Sequence, residues 1–123
     1  MPKSILIDET LILHDCDLEA ANLLGCQMVA VEDPYDKIAR VYVVHEKHVK
    51  LLVDHYARGF KILAWSNNGK AWAVAVIKAL GLDNYVHDYM AKPVKVIDDV
   101  EPNRFLASRV YLQSKYQQAM KNS

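Results

Sequence analysis

A layered α/β fold on a parallel sheet is what this chain predicts, and three features predict it. Short apolar runs at residues 4–7, 60–65 and 94–97 have the length and β-branched content of buried strands. Between the last two lies a helical pattern over residues 70–80, stopped by Gly81; strand, helix and strand make a parallel crossover unit. Each run also ends on a polar residue: Asp8, Ser66 and the pair Asp98-Asp99. Open parallel sheets bind ligands at that carboxyl edge.

The elements follow in order. Ser4-Ile5-Leu6-Ile7 is the first strand, ending at Asp8. Residues 27–33 and 38–44 are β-rich runs around Pro34-Tyr35-Asp36-Lys37, the pattern of a β-hairpin with a proline-containing turn. Over 46–58, Val49, Leu52, Val53 and Tyr56 recur at helical spacing and Gly59 supplies the stop. Residues 60–65 form a buried strand, Ser66-Asn67-Asn68-Gly69 a turn, and 70–80 the next helix. Val94, Val96 and Ile97 make the last strand. The polar end, 113–123, reads as a frayed helix or tail outside the domain at 1–112.

Composition bounds the function. A chain of 123 residues holds one domain and its core. With 52% apolar residues and 24% charged, the composition is that of a folded domain. Fifteen basic residues balance fifteen acidic ones, so net charge gives no support to extended nucleic-acid contact. No apolar run approaches the roughly 18 residues of a membrane span, and no signal peptide is evident. Cys16 and Cys26 form no Cys-x-x-Cys pair and read as reduced thiols of a cytoplasmic protein.

The chemistry concentrates at the strand ends. Adjacent carboxylates such as Asp98 and Asp99 raise each other's pKa unless a cation shares them. Magnesium, a hard cation that takes one or two carboxylates and leaves room for phosphate, suits that place. Lys92 offers a compact positive charge to a phosphate oxygen. Ser66 ends a strand and opens a helix, where a hydroxyl and the backbone N–H groups can hold phosphate. An ordinary helix cap fits Ser66 as well, and on the residues alone the cap is the simpler reading. Asn67, Asn68 and Gly69 add polar groups and close backbone approach, or are a plain turn.

Asp8, Ser66, Lys92 and Asp98-Asp99, in that order and on those elements, resemble the motifs of the haloacid dehalogenase (HAD) superfamily of phosphohydrolases. The likeness is greatest to small capless members encoded by bacteriophages. It runs over roughly residues 4–112 and is best over 49–99, including Ala57-Arg58-Gly59, Ala64-Trp65-Ser66, Trp72-Ala73, Lys78-Ala79-Leu80-Gly81-Leu82 and Lys92-Pro93. The resemblance implies a three-layer, Rossmann-like sheet with a hairpin flap at 27–44 and no cap domain. It implies magnesium-dependent hydrolysis of a small phosphorylated molecule in a host bacterial cytoplasm. Ser66, with Asn67 and Asn68, would bind the phosphoryl group and Lys92 would offset its charge. Asp8, Asp98 and Asp99 would hold the metal. Oligomeric state stays open: a homo-oligomer whose neighbouring subunit serves as lid, or a protein partner, is compatible with that resemblance.

The first motif departs from the family pattern Asp-x-Asp-x-Thr-Leu, for the chain reads Leu6-Ile7-Asp8-Glu9-Thr10-Leu11. Aligned on Thr10-Leu11, the nucleophile's place falls to Leu6, which cannot attack phosphorus; a phosphate-binding or protein-interaction module follows. Shifted by two, Asp8 becomes the nucleophile and Thr10 takes the acid/base place, where a hydroxyl is a poor proton shuttle. The first alignment needs no gap and is the closer match. The second gives the more natural strand and keeps the enzyme.

Other clusters carry less. His14-Asp15-Cys16-Asp17 has metal-ligand residue types, but neighbours on one short segment rarely converge. His45-Glu46-x-His48 misses the zinc-protease spacing by one residue. His45, His48 and His55 are expected along the solvated side of the helix. Trp65 and Trp72 are expected in the core. The hairpin tip, 34–37, is expected beside Ser66 and Asp98.

Overall fold

The computed structural model describes residues 3–8, 11–13 and 17–101. Thr10, the His14-Asp15-Cys16 cluster and the 113–123 tail lie outside the described residues.

The described elements are strand β1 (Ser4–Asp8), strand β2 (Ile12–Leu13), helix α1 (Leu18–Leu23), strands β3 (Met28–Glu32) and β4 (Ala39–Val44), helix α2 (Glu46–Ala57), strand β5 (Lys61–Ser66), helix α3 (Lys70–Ala79), a 3-10 turn at Asp83–Tyr85 and strand β6 (Asp88–Ala91). They form a small α/β structure with two three-stranded sheets. One is parallel, ordered β1-β5-β6; the other is antiparallel, ordered β2-β4-β3. No helix among the described residues is long and apolar enough to cross a membrane.

In the parallel sheet Asp8 stands opposite Trp65, and Ser66 opposite Ala91, so the carboxyl ends of all three strands share one edge. Helix α3 packs on β5 and β6 and also meets β3, which ties the hairpin to the parallel sheet. Its inward residues, Trp72, Ala73, Val76 and Ile77, are buried at the spacing of one helical face. The main core joins Trp72, Val76 and Ile77 to Ile7, Leu11, Ile12, Val31, Leu52, Ile62, Ala64 and Leu82. Each large aliphatic side chain so enclosed contributes about 1.5–3 kcal/mol from burial. Leu52 is the one fully buried residue of α2, and Val49 and Val53 pack beside it. Tyr56, on the same stripe, instead stacks edge-on against Tyr85.

The hairpin, α2, β5 and α3 lie within about one residue of the sequence expectation. The last strand does not. Residues 94–97 form no strand: Val94, Val96 and Ile97 are exposed, the first and last almost completely. The place beside β5 is taken by β6, whose sequence Asp-Tyr-Met-Ala carries no strong strand signal. Backbone bonding explains its success. His87 N–H donates to Ile62 O at 2.8 Å, and Ile62 N–H donates to the His87 ring Nδ1 at 3.0 Å. The imidazole therefore replaces a missing carbonyl, and its proton resides on Nε2. In His87→Leu the fully buried Ile62 loses its N–H partner. Urea denaturation is expected to show a loss of about 1–3 kcal/mol, with partial recovery in His87→Asn, whose side chain retains an acceptor.

The histidines also differ from expectation. His45 caps α2 from a buried position, 6% exposed, and stacks on the half-buried His48 at 4.4 Å. Its backbone N–H bonds to Leu11 O, which draws the residue inward from the helix surface. His55 is half-buried, with Nδ1 2.7 Å from Leu51 O and its ring edge-on to Phe60.

Candidate functional site

The carboxyl edge of the parallel sheet gathers three of the expected residues. Asp8 ends β1, Ser66 ends β5, and Lys92 follows β6 by one position. Lys92 Nζ makes an ion pair and hydrogen bond with Asp8 Oδ2, both side chains about one-quarter exposed. The same ammonium lies 5.8 Å from the centroid of the Trp65 ring, over its face. The backbone holds this arrangement in register, because Lys92 N–H donates to Ser66 O at 2.9 Å. Asp8 Oδ1 is enclosed and has no hydrogen-bond partner among the described residues. A buried carboxylate oxygen is stabilised by a donor or a cation.

Ser66 is completely buried. Its hydroxyl oxygen accepts the Asn68 N–H at 2.9 Å and closes the turn that leads into α3. The residue that caps α3 is Gly69, at φ 98°, a left-handed conformation that suits glycine. The side chains of Asn67 and Asn68 are exposed on this turn.

Asp98 and Asp99 are not at a strand end. Both are exposed, and Asp98 accepts the Val100 N–H at 3.1 Å in a local turn. That backbone bond, followed by a hydrogen bond with Asp99, holds the Asp98 carboxyl below its usual range. The expected placement of the pair at the end of a 94–97 strand is thus corrected, since that strand is not formed. No group of three or more His, Cys, Asp or Glu side chains gathers to hold a metal among the described residues. Leu6 sits one alternation further into β1, opposite Leu63, and it is Asp8 that carries the carboxylate to the edge.

The hairpin tip reaches the same neighbourhood. Tyr35 Oη donates to Asn68 O at 2.6 Å. A Cβ at Gly69 would lie 2.6 Å from that phenol oxygen, so glycine provides the room as well as the turn. The loop is fixed by Asp33, whose Oδ1 accepts Tyr35 N–H at 2.7 Å and Asp36 N–H at 3.3 Å. Sequence reasoning assigns no role to Tyr35 or Asp33. The available signal is the Asp-Pro-Tyr-Asp order, in which an aspartate before proline closes the turn on its own backbone. A cleft of about 260 Å3 opens between hairpin and α3, lined by Asp33, Tyr35, Tyr42, Asn68 and Trp72.

Arg40 pairs with Asp36 at 2.6 Å across the loop. The Arg40 hydrogen bond, then the Ile38 N–H, hold the Asp36 carboxyl below its ordinary 3.8. Folding lowers this pKa, so the pair's support of the hairpin is complete above the unfolded value and fades as pH falls through the folded one. An NMR titration is expected to place the Asp36 midpoint below 3.8. Arg40→Met should return the midpoint toward that value, and added salt should narrow the difference.

Comparison of the chain with protein-family models, with curated proteins and with solved structures gave no match.

Proposed function

We propose that the chain is a HAD-type phosphohydrolase acting on a small phosphate monoester, with Asp8 as nucleophile. One observation carries the reading: a carboxylate and an ammonium pair at the carboxyl edge of a parallel sheet, where the strand ending in the buried Ser66 also terminates. In this mechanism Lys92 moves from Asp8 Oδ2 to the phosphate, and Oδ2 forms the bond to phosphorus as the ester P–O bond breaks. The leaving oxygen takes a proton from solvent, and water then cleaves the aspartyl-phosphate, returning carboxylate and phosphate. Such transfer needs little covalent chemistry beyond the nucleophile and much charge stabilisation. Lys92 supplies that charge, and its shift from Asp8 toward the phosphate opens the site. The exposed Asn67 and Asn68, on the turn that Ser66 closes, would meet the other phosphate oxygens.

Asp8 Oδ1, without a hydrogen-bond partner among the described residues, is chemically suited to a hard cation, whereas Asp8, Asp98 and Asp99 form no metal-holding group among the described residues. Magnesium held by Asp8, Asp98 and Asp99 would neutralise phosphate charge when bound. The three-layer form of the fold belongs to the same proposal. Among the described residues β1 pairs on one side only, with β5. Addition of the exposed, β-branched 94–97 segment to the other side would bring the acidic pair to the nucleophile's edge. The hairpin would serve as flap.

A second reading has its own support: with the acidic pair away from the site, Asp8, Ser66 and Lys92 suffice to bind a phosphate group without turning it over. Hydrolysis of para-nitrophenyl phosphate with and without magnesium distinguishes the two. Release above the buffer blank supports the enzyme, together with hydrogen-exchange protection of 94–99 on adding magnesium and phosphate. Phosphate binding in calorimetry without release supports the binding module. Neither binding nor release across a substrate and metal panel removes both.

A further inference from the structure

We infer that the cleft between the β3–β4 hairpin and the start of α3 is a base-binding subsite, and that the phosphate ester is a nucleoside monophosphate whose base carries an N–H donor. This rests on the proposed phosphate site and specifies its substrate class.

The cleft's walls determine what fits. Three of its five lining residues are aromatic, Tyr35, Tyr42 and Trp72, and its volume of about 260 Å3 suits a ring system better than a larger ligand. Tyr42 and Trp72 stand edge to face, with centroids 6.2 Å apart and planes at 70°. Trp72 is 4% exposed and held by the core, so that wall is rigid. Flat rings gain most from such walls, because each face is available for stacking.

Asp33 gives the cleft its polarity. Its Oδ1 already accepts two backbone N–H groups of the loop, while Oδ2 lies 3.8 Å from Arg40, beyond hydrogen-bond distance. Oδ2 therefore retains acceptor capacity for a ring N–H or exocyclic amine. A carboxylate in the wall also repels a phosphate, which orients the ligand: ring toward Asp33, phosphate toward Lys92. Asn68 joins the two ends, for it lines the cleft and its N–H bonds to Ser66 Oγ. A phenyl phosphate such as phosphotyrosine would fill the aromatic space and leave Asp33 Oδ2 desolvated without a donor, at an energetic cost.

The test uses calorimetry on the full chain with inorganic phosphate, ribose 5-phosphate, adenosine 5′-monophosphate, adenosine and O-phosphotyrosine. The monophosphate is expected to bind roughly tenfold to a hundredfold more tightly than ribose 5-phosphate, the increment of one stacked base. That ratio is expected to fall severalfold in Asp33→Asn, which leaves the stacking walls, keeps an oxygen for the loop's backbone bonds and replaces the other with an amide NH2. Equal affinity for the monophosphate and ribose 5-phosphate in wild type overturns the subsite and leaves the phosphate site standing. Tighter binding of O-phosphotyrosine than of the monophosphate overturns the amine assignment. If inorganic phosphate and ribose 5-phosphate both fail to bind, the phosphate site is wrong and adenosine decides the cleft. Adenosine binding that Asp33→Asn weakens upholds the ring subsite; no adenosine binding rejects it.

Discussion

Asp8→Asn is expected to reduce phosphate-ester hydrolysis to the buffer blank while leaving the protein folded. Loss of a nucleophile costs on the order of 10⁶-fold in kcat, the scale measured for removing the nucleophile of a serine protease. An amide oxygen is too weakly nucleophilic to take the carboxylate's place. The change to stability should be small by comparison. The substituted amide is nearly the same size and still offers Lys92 an oxygen, and both side chains of the original pair are partly solvated. A thermal midpoint within a few degrees of wild type, with activity gone, is the expected pair of results. Lys92→Met is the informative contrast. It leaves the Asp8 charge without its cation beside an already partnerless Oδ1, so it should lower both stability and turnover. Full activity in Asp8→Asn would transfer the chemistry to another residue and dismiss the proposed role of the sheet edge.

Trp72→Ala carries the largest expected cost to the fold. The indole is buried, packs within the main core and meets Tyr42 edge-on, so it holds α3 against the hairpin. Removing a buried tryptophan costs about 3–5 kcal/mol, part lost transfer energy and part cavity. Domains of this kind are stabilised by only about 5–15 kcal/mol in total. The expected fall in Tm is roughly 10–20 °C, with an unchanged urea m-value showing that the same unit still unfolds cooperatively. Trp72→Phe retains most of the apolar volume and should recover more than half of the loss. A shift of less than about 1 kcal/mol for alanine would mean that α3 does not depend on this contact.

The elements legible in the sequence were those with agreeing signals. Residues 46–58 have helical periodicity plus a glycine stop, and the hairpin has two β-branched runs around a turn-forming Asp-Pro; both are present. Helix α1 has only six residues, too few for a periodic pattern, though Asp17 caps it through bonds to the Glu19 and Ala20 N–H groups. The exchange of 94–97 for Asp88–Ala91 has a different cause. Val-rich composition expresses fitness for a pleated surface, whereas a strand's place is decided by which backbone groups find partners. The His87 ring bond to Ile62 is such a partner, and no sequence pattern announces it. At the site, Asp8 and Ser66 were legible because parallel strands must deliver their ends to one edge, whereas Lys92 was marked by its motif and reaches that edge through β6, which the sequence did not signal. The acidic pair was misplaced along with the strand meant to carry it.

The pairing of β1 with β5 joins residues far apart in the chain, with the hairpin and α2 threaded between them. Closing so large a loop has an entropic cost that local hairpin and helix contacts do not incur. Contact order therefore predicts that β1 docks late, with the Asp8–Lys92 pair completed after the hairpin and helices. Substitutions in β1 are then expected to speed unfolding more than they slow folding.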